Sequence, residues 1–285
     1  MGTTTDKREI NQTQKKYEFT GETKQIWGGT IVRQIKRKPI NKNDDGIGGW
    51  IETEENLSHE GKCWIGKDTI VHGNAKVYEN ASVWGATEIS GNAKVHGNAS
   101  ITGECHICDN AEVYENACIE GYVSILENAK VHGPDTSLYG HARILGNADI
   151  SGHVTVGVEA EISGNAKLSG RVDVRGEALV TDNADIYFDK IRELDENLEI
   201  VGETYIGGDV VIRGWEDFMV FKESWDDGSW YTWTRADNMW RNYWYKLTEE
   251  QFIENMTKKG EMQRKIAEKF IETVHLFDEL APKKK

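Results

Sequence analysis

Between Ile65 and Ile186 an aliphatic residue returns at every sixth position. The first run is Ile65, Val71, Val77, Val83, Ile89, Val95, Ile101, Ile107, Val113, Ile119, Ile125 and Val131. After one extra residue at Pro134-Asp135 it resumes as Leu138, Ile144, Ile150, Val156, Ile162, Leu168, Val174, Val180 and Ile186. Two positions ahead of nearly every one stands a small residue, such as Ala75, Ala93, Ala111, Ala148 or Ala166. Apolar positions never recur at i, i+3 and i+4, which excludes a helix. A fixed short period marks a solenoid. Six residues make one short strand and one turn, and three such sides close a triangular coil. The pattern therefore predicts a mainly β chain, a parallel β-helix of about eight coils over residues 65–212, with aliphatic and small residues turned inward.

Aligning the chain coil on coil brings Asn74, Asn92, Asn110, Asn128, Asn147, Asn165 and Asn183 into one column. Glycine and asparagine fill the corners, where positive φ is cheapest. The column predicts an amide ladder; a ligand-binding asparagine row is the alternative. A second, outward column holds Tyr78, His96, Tyr114 and His132. Rings one coil apart are expected to stack, contributing roughly 0.2–1 kcal/mol per neighbour pair. The functional alternative is a flat strip accepting a partner or a second subunit, which makes these four residues binding candidates.

The flanks break the period. Residues 1–64 read as a loose polar arm to residue 16, strands at 17–20 and 29–35, and the basic run Lys36-Arg37-Lys38 as a solvated loop. A turn-rich stretch at 41–49 follows, and Trp50, Ile51, Leu57 and Trp64 are expected to plug the open first coil. Beyond Ile186, residues 187–197 with Ile191, Leu194 and then Leu198 predict a short helical bulge before the last inward positions Ile200, Ile206 and Ile212.

Residues 213–285 change character, with eleven aromatics in the thirty-one residues 215–245. Asp226-Asp227-Gly228 and Ala236-Asp237-Asn238 separate three short strands. Thr248 with Gln251 forms a capping box for a helix to Lys259, stopped by Gly260. A second helix over 261–280 gathers Ile266, Phe270, Ile271, Val274, Phe277 and Leu280 on one face. The region predicts an α+β aromatic cap on the last coil. Trp230, Tyr231 and Trp233 cannot all share one strand face, so at least one looks outward. Trp230, Trp233 and Trp240 are binding candidates for a stacked sugar or nucleobase, set against the commoner role of core residues.

The repeat, with its GNAKV and ENASV units behind the lead-in GGWIETEENLSHEGKCW at residues 48–64, resembles the left-handed β-helix superfamily of hexapeptide-repeat proteins. That superfamily includes acyltransferases and γ-class carbonic anhydrases. The wording is most similar to a branch of β-solenoids from phages and gut bacteria that carry transferase labels. The resemblance covers about half the chain and implies fold more than chemistry. An acyltransferase of this type would need a protruding loop for acetyl-CoA and a catalytic histidine, and the coils carry almost no insertions. His96 and His132 stand 36 residues apart, as in the γ-class carbonic anhydrases, but the position of the third ligand is Ser137. No metal, cofactor or catalytic residue is therefore expected. His106, His141 and His153 point outward with no carboxylate at a supporting spacing.

The net charge of −14 lies wholly in residues 65–212, where 24 acids face 10 bases. Such a wall is unsuited to direct nucleic-acid contact. Eight coils span roughly 38 Å, or one charge per roughly 2.7 Å against about 1.7 Å in duplex DNA, so a solvated surface is favoured over imitation of nucleic acid. Cys63 and Cys105 fall in inward slots, while Cys108 and Cys118 face outward. The thiols are expected free, in a reducing cytoplasm. No segment has the pattern of a signal peptide or a membrane span.

The expected function is that of a non-catalytic interaction protein, homo-oligomeric as a trimer or dimer, bound to a protein partner. In the phage setting implied by the resemblance, that partner is a host defence factor with a basic nucleic-acid groove. The alternatives are an acetyl-CoA acyltransferase working between subunits and a carbohydrate- or nucleotide-binding module using the tryptophan cap.

Overall fold

In the computed structural model the described residues are 15–188, 198–202, 204–208, 210–222, 229–242 and 244–280. The six-residue period becomes three walls of a parallel β-solenoid of about eight coils. Short strands stack at a step of eighteen residues: Ile101 pairs with Ile119, Ile107 with Ile125 and Val113 with Val131, one pair per wall. The step is nineteen across Pro134, where Ile119 meets Leu138, and eighteen again where Ile144 meets Ile162. Every aliphatic of the two runs is buried. The strand Lys167–Val174 rounds a corner and serves two walls, pairing Leu168 with Ile186 and Val174 with Ile200.

The asparagine column forms a continuous chain of side-chain bonds. Each Nδ2 donates to the Oδ1 one coil on, from Asn74 to Asn183, at 2.8–3.0 Å. A second, shorter ladder joins Asn80, Asn98 and Asn116 at 3.1 and 3.0 Å. Corners adopt the left-handed region, and some carry acids there: Glu79, Asp109 and Asp182 have φ of 59–61°. Their carboxylates accept backbone N–H groups of the next coil, Gly97 at 2.8 Å, Glu127 at 3.1 Å and Gly208 at 2.8 Å. Part of the wall's negative charge is therefore structural.

The first coil starts earlier than the uninterrupted period. Ile51 pairs with Val71, and Leu57 bridges to Val77, at a step of twenty residues. These two side chains are members of the inward columns, which corrects their expected role as a plug. The turn-rich stretch ends at residue 46, where strand Ile47–Ile51 begins. An antiparallel hairpin, Glu18–Gln25 with Ile31–Lys36, extends one wall past this coil. Tyr17 covers the core, its hydroxyl donating to the Leu57 carbonyl at 2.7 Å and its ring stacking on His59 at 4.2 Å. Burial, aided by Glu54, holds that phenol above its usual range. The basic run is less solvated than expected: Lys36 pairs with Glu18 at 3.3 Å, and Arg37 lies 4.2 Å over Trp64. Residues 1–14 of the expected arm lie outside the described residues.

Past Lys167–Val174 the step widens to twenty-six, with Val180 on Ile206 and Ile186 on Ile212. Of the expected bulge, Tyr187 and Phe188 belong to strand Asp185–Phe188, and Leu198 is buried in strand Leu198–Ile200. Residues 189–197 lie outside the described residues.

The cap is a four-stranded antiparallel sheet, Phe218–Lys222, Trp230–Thr234, Met239–Arg241 and Lys246–Leu247, one strand more than expected. The expected turn at 226–228 lies outside the described residues. Helix α1 (Glu249–Lys259) opens with the capping box, Gln251 N to Thr248 Oγ1 at 3.3 Å and Thr248 N to Gln251 Oε1 at 2.9 Å. Helix α2 (Glu261–Leu280) buries Ala267, Ile271 and Val274, but Leu280 is exposed, which shortens its expected apolar face. The helices cover one side of the sheet. The other side meets the last coil, where Tyr205 N donates to Thr232 Oγ1 at 3.1 Å and Phe218 joins the solenoid core. No helix among the described residues is long and apolar enough to cross a membrane.

Candidate functional site

Each residue of the aromatic column follows an inward valine by one position, so the coil step sets the rings in a stack. Centroids of Tyr78, His96, Tyr114 and His132 are separated by 4.5, 5.2 and 4.4 Å, with planes within 8°. His96 and His132 thus lie on opposite faces of the Tyr114 ring and cannot share one ion.

Carboxylates hold the imidazole edges. His96 Nε2 is 3.2 Å from Glu112 and its Nδ1 3.6 Å from Glu79. His132 Nε2 is 2.9 Å from Asp149 and its Nδ1 3.9 Å from Glu115. Burial first, then neighbouring acids, raises the phenols of Tyr78 and Tyr114. His153, expected without a supporting acid, has Asp135 at 2.8 Å, and His141 stacks on Tyr122 at 4.9 Å. The acids approach across a coil step, a proximity that local spacing does not display. His96, stacked on both faces, and His132, stacked on one, each have Nε2 within hydrogen-bond distance of a carboxylate and are elements of the wall.

The thiols divide as the inward and outward slots require. Cys63 and Cys105 are buried, Cys108 is partly exposed and Cys118 exposed, all free. Burial and Asp109 push the Cys108 thiol up to about 11, away from nucleophilic character. No group of three or more potential metal ligands exists among the described residues.

The cap candidates separate by strand parity. Trp233 and Tyr231 alternate onto the helix-facing side, and Trp240 is the cross-strand partner of Trp233. Trp240 stacks on Phe252 at 4.5 Å, and Trp233 Nε1 donates to Asn238 Oδ1 at 2.8 Å. With exposures of 2% and 1%, Trp233 and Trp240 are core residues.

Trp230 has the opposite parity and turns toward the solenoid. Its benzo edge rests where Gly202 leaves room, since a Cβ there would lie 2.9 Å from Cη2. Lys222 Nζ sits 5.0 Å from the ring centroid. Beside Trp230 opens a cleft of about 420 Å³ between solenoid wall and cap. Tyr205, Trp244 and three glutamates, Glu159, Glu161 and Glu177, also line it. Trp244 is 76% exposed. Sequence reasoning missed this cleft, because its walls come from segments far apart in the chain and nothing local distinguishes Trp244 from the buried Trp233 and Trp240.

At the opposite end Lys15, Lys16, Lys36, Arg37 and Lys38 border a wider hollow of about 730 Å³. Most of that charge is spent internally, Lys15 on Glu54 at 2.8 Å and Arg37 on Asp44 at 3.4 Å.

No protein-family model matches the chain, and no curated protein sequence matches it.

Proposed function

We propose that this chain is a non-catalytic β-solenoid interaction protein that presents a rigid acidic wall and an aromatic end to a protein partner. The observation that carries this reading is the state of the wall histidines. His96, between the rings of Tyr78 and Tyr114, and His132, against Tyr114 alone, have the best claim to catalysis, and each Nε2 is held by a carboxylate. Stacked rings and ladders of amides favour shape persistence over turnover. From Ile51 to Phe188 the described coils follow one another without a protruding loop of the kind an acyl donor needs.

The six-residue repeat and its wording support placing the chain with left-handed hexapeptide-repeat solenoids of the phage type, acting in the host cytoplasm. An excess of fourteen acids over residues 65–212 suits a partner with a basic groove. A defence factor that handles nucleic acid is such a partner. Side-by-side homo-oligomers fit the flat aromatic column.

Calorimetric titration of acetyl-CoA into the intact protein and into the double variant His96→Ala/His132→Ala tests the reading. Neither should give saturable heat, and the double variant should keep its protein partner. Saturable acetyl-CoA binding that the double variant loses would replace this reading with an acyltransferase.

A further inference from the structure

We infer that the cleft between the last coils and the cap is a receptor for arginine side chains of a basic protein segment. The inference rests on the interaction reading above and names the partner's chemistry. Three features of the cleft converge. It is concave, and about 420 Å³ lies within the range of small recognition pockets. Its lining joins the rings of Trp230, Trp244 and Tyr205 to the carboxylates of Glu159, Glu161 and Glu177 and to one resident guanidinium, that of Arg143. Glu161 is paired with Arg143 at 2.8 Å, whereas Glu159 and Glu177 have no ion pair among the described residues.

Aromatic faces beside uncommitted carboxylates match a cation, because a ring quadrupole and a carboxylate attract the same charge. The chain already uses this chemistry at the edge of the site, where Lys222 sits over Trp230 at 5.0 Å. Guanidinium fits better than ammonium, being planar enough to stack on an indole and forked enough to bind a carboxylate through two N–H groups. Anions such as phosphates or acyl-CoA meet repulsion here. Gly202 acts as a positioning residue, since any side chain would drive Trp230 out of its seat.

Tryptophan fluorescence of the intact protein, titrated at low salt with hexa-arginine, hexa-glutamate and a neutral disaccharide, tests the assignment. Hexa-arginine should bind saturably and the other two should not. Because the whole wall is acidic, two charge-matched variants are compared. Glu159→Gln/Glu177→Gln should weaken binding about ten-fold, and Trp244→Ala, at an exposed position, about five-fold. Glu104→Gln/Glu120→Gln, on exposed positions away from the cleft, should change it less than about two-fold. Equal weakening by both glutamate pairs would reduce the effect to adsorption on the wall and overturn the pocket. So would saturable disaccharide binding or a flat hexa-arginine titration. A native complex that survives Glu159→Gln/Glu177→Gln would sink the pocket while leaving the interaction reading intact.

Discussion

Asn128 donates from Nδ2 to Oδ1 of Asn147 at 3.0 Å although nineteen residues separate them, one more than for Asn110 and Asn128 at 2.9 Å. The extra residue at Pro134 is taken up at a different corner, so the amide chain runs on uninterrupted. Ladder continuity, more than residue count, defines the coil.

Asn110→Ala removes two links from the middle of that ladder. The corner is exposed, so the freed amides regain water, and the expected cost is about 1 kcal/mol. Chemical denaturation measures it. Unchanged stability would mean that the ladder is incidental to the stack.

Val158 carries the opposite burden. It is a β-branched residue at φ 65°, flanked along its corner by Gly140 and Gly176, which share the left-handed conformation. Val158→Gly relieves a strain of about 1–2 kcal/mol less some chain entropy, and should raise the midpoint of thermal unfolding. A lower midpoint would show that the side chain contributes packing that its 45% exposure does not reveal.

Val113 is wholly buried between Val95 and Val131. Val113→Asp places an unpaired charge in the core and should prevent the solenoid from folding, as followed by far-ultraviolet circular dichroism. A folded variant of unchanged stability would refute the register.

Acid should loosen the cap through Asp237. Burial opposes its charge, but bonds from Arg241 and Thr234, together with Lys246, outweigh that and hold its carboxyl below the usual range. A depressed carboxyl adds stability that is complete above its unfolded value near 4 and fades as pH falls through the folded one. The Arg241 side chain that it neutralises is wholly buried. Asp237→Asn should therefore destabilise the cap by about 2–3 kcal/mol at pH 7, and the gap from the unaltered protein should narrow as pH is lowered beneath the unfolded value near 4. Tryptophan fluorescence during denaturation at both pH values reads this directly. A gap that persists in acid would assign the loss to shape rather than charge.

The walls were legible because one inward aliphatic repeats on a period that neither helix nor ordinary sheet shares, and the main asparagine column followed from the same alignment. The second ladder, Asn80 to Asn116, carries the same spacing and was available to it. Ile51 and Leu57 were hidden by a step of twenty residues, and Tyr17 by lying outside the repeat altogether. The histidine–carboxylate contacts join neighbouring coils, so their geometry becomes plain only when the coils are stacked. In the cap, Trp230, Trp233 and Trp240 look alike as letters. Strand parity and pairing decide which are core, and the short strands gave too few positions to fix that parity.

The central claim is tested most directly by isolating the intact protein from host-cell lysate and weighing what accompanies it, with acetyl-CoA titrated into the same preparation. A single stoichiometric protein partner and no acetyl-CoA binding is the predicted result. Saturable acetyl-CoA binding with no protein partner would contradict it and move the search for chemistry to clefts between subunits.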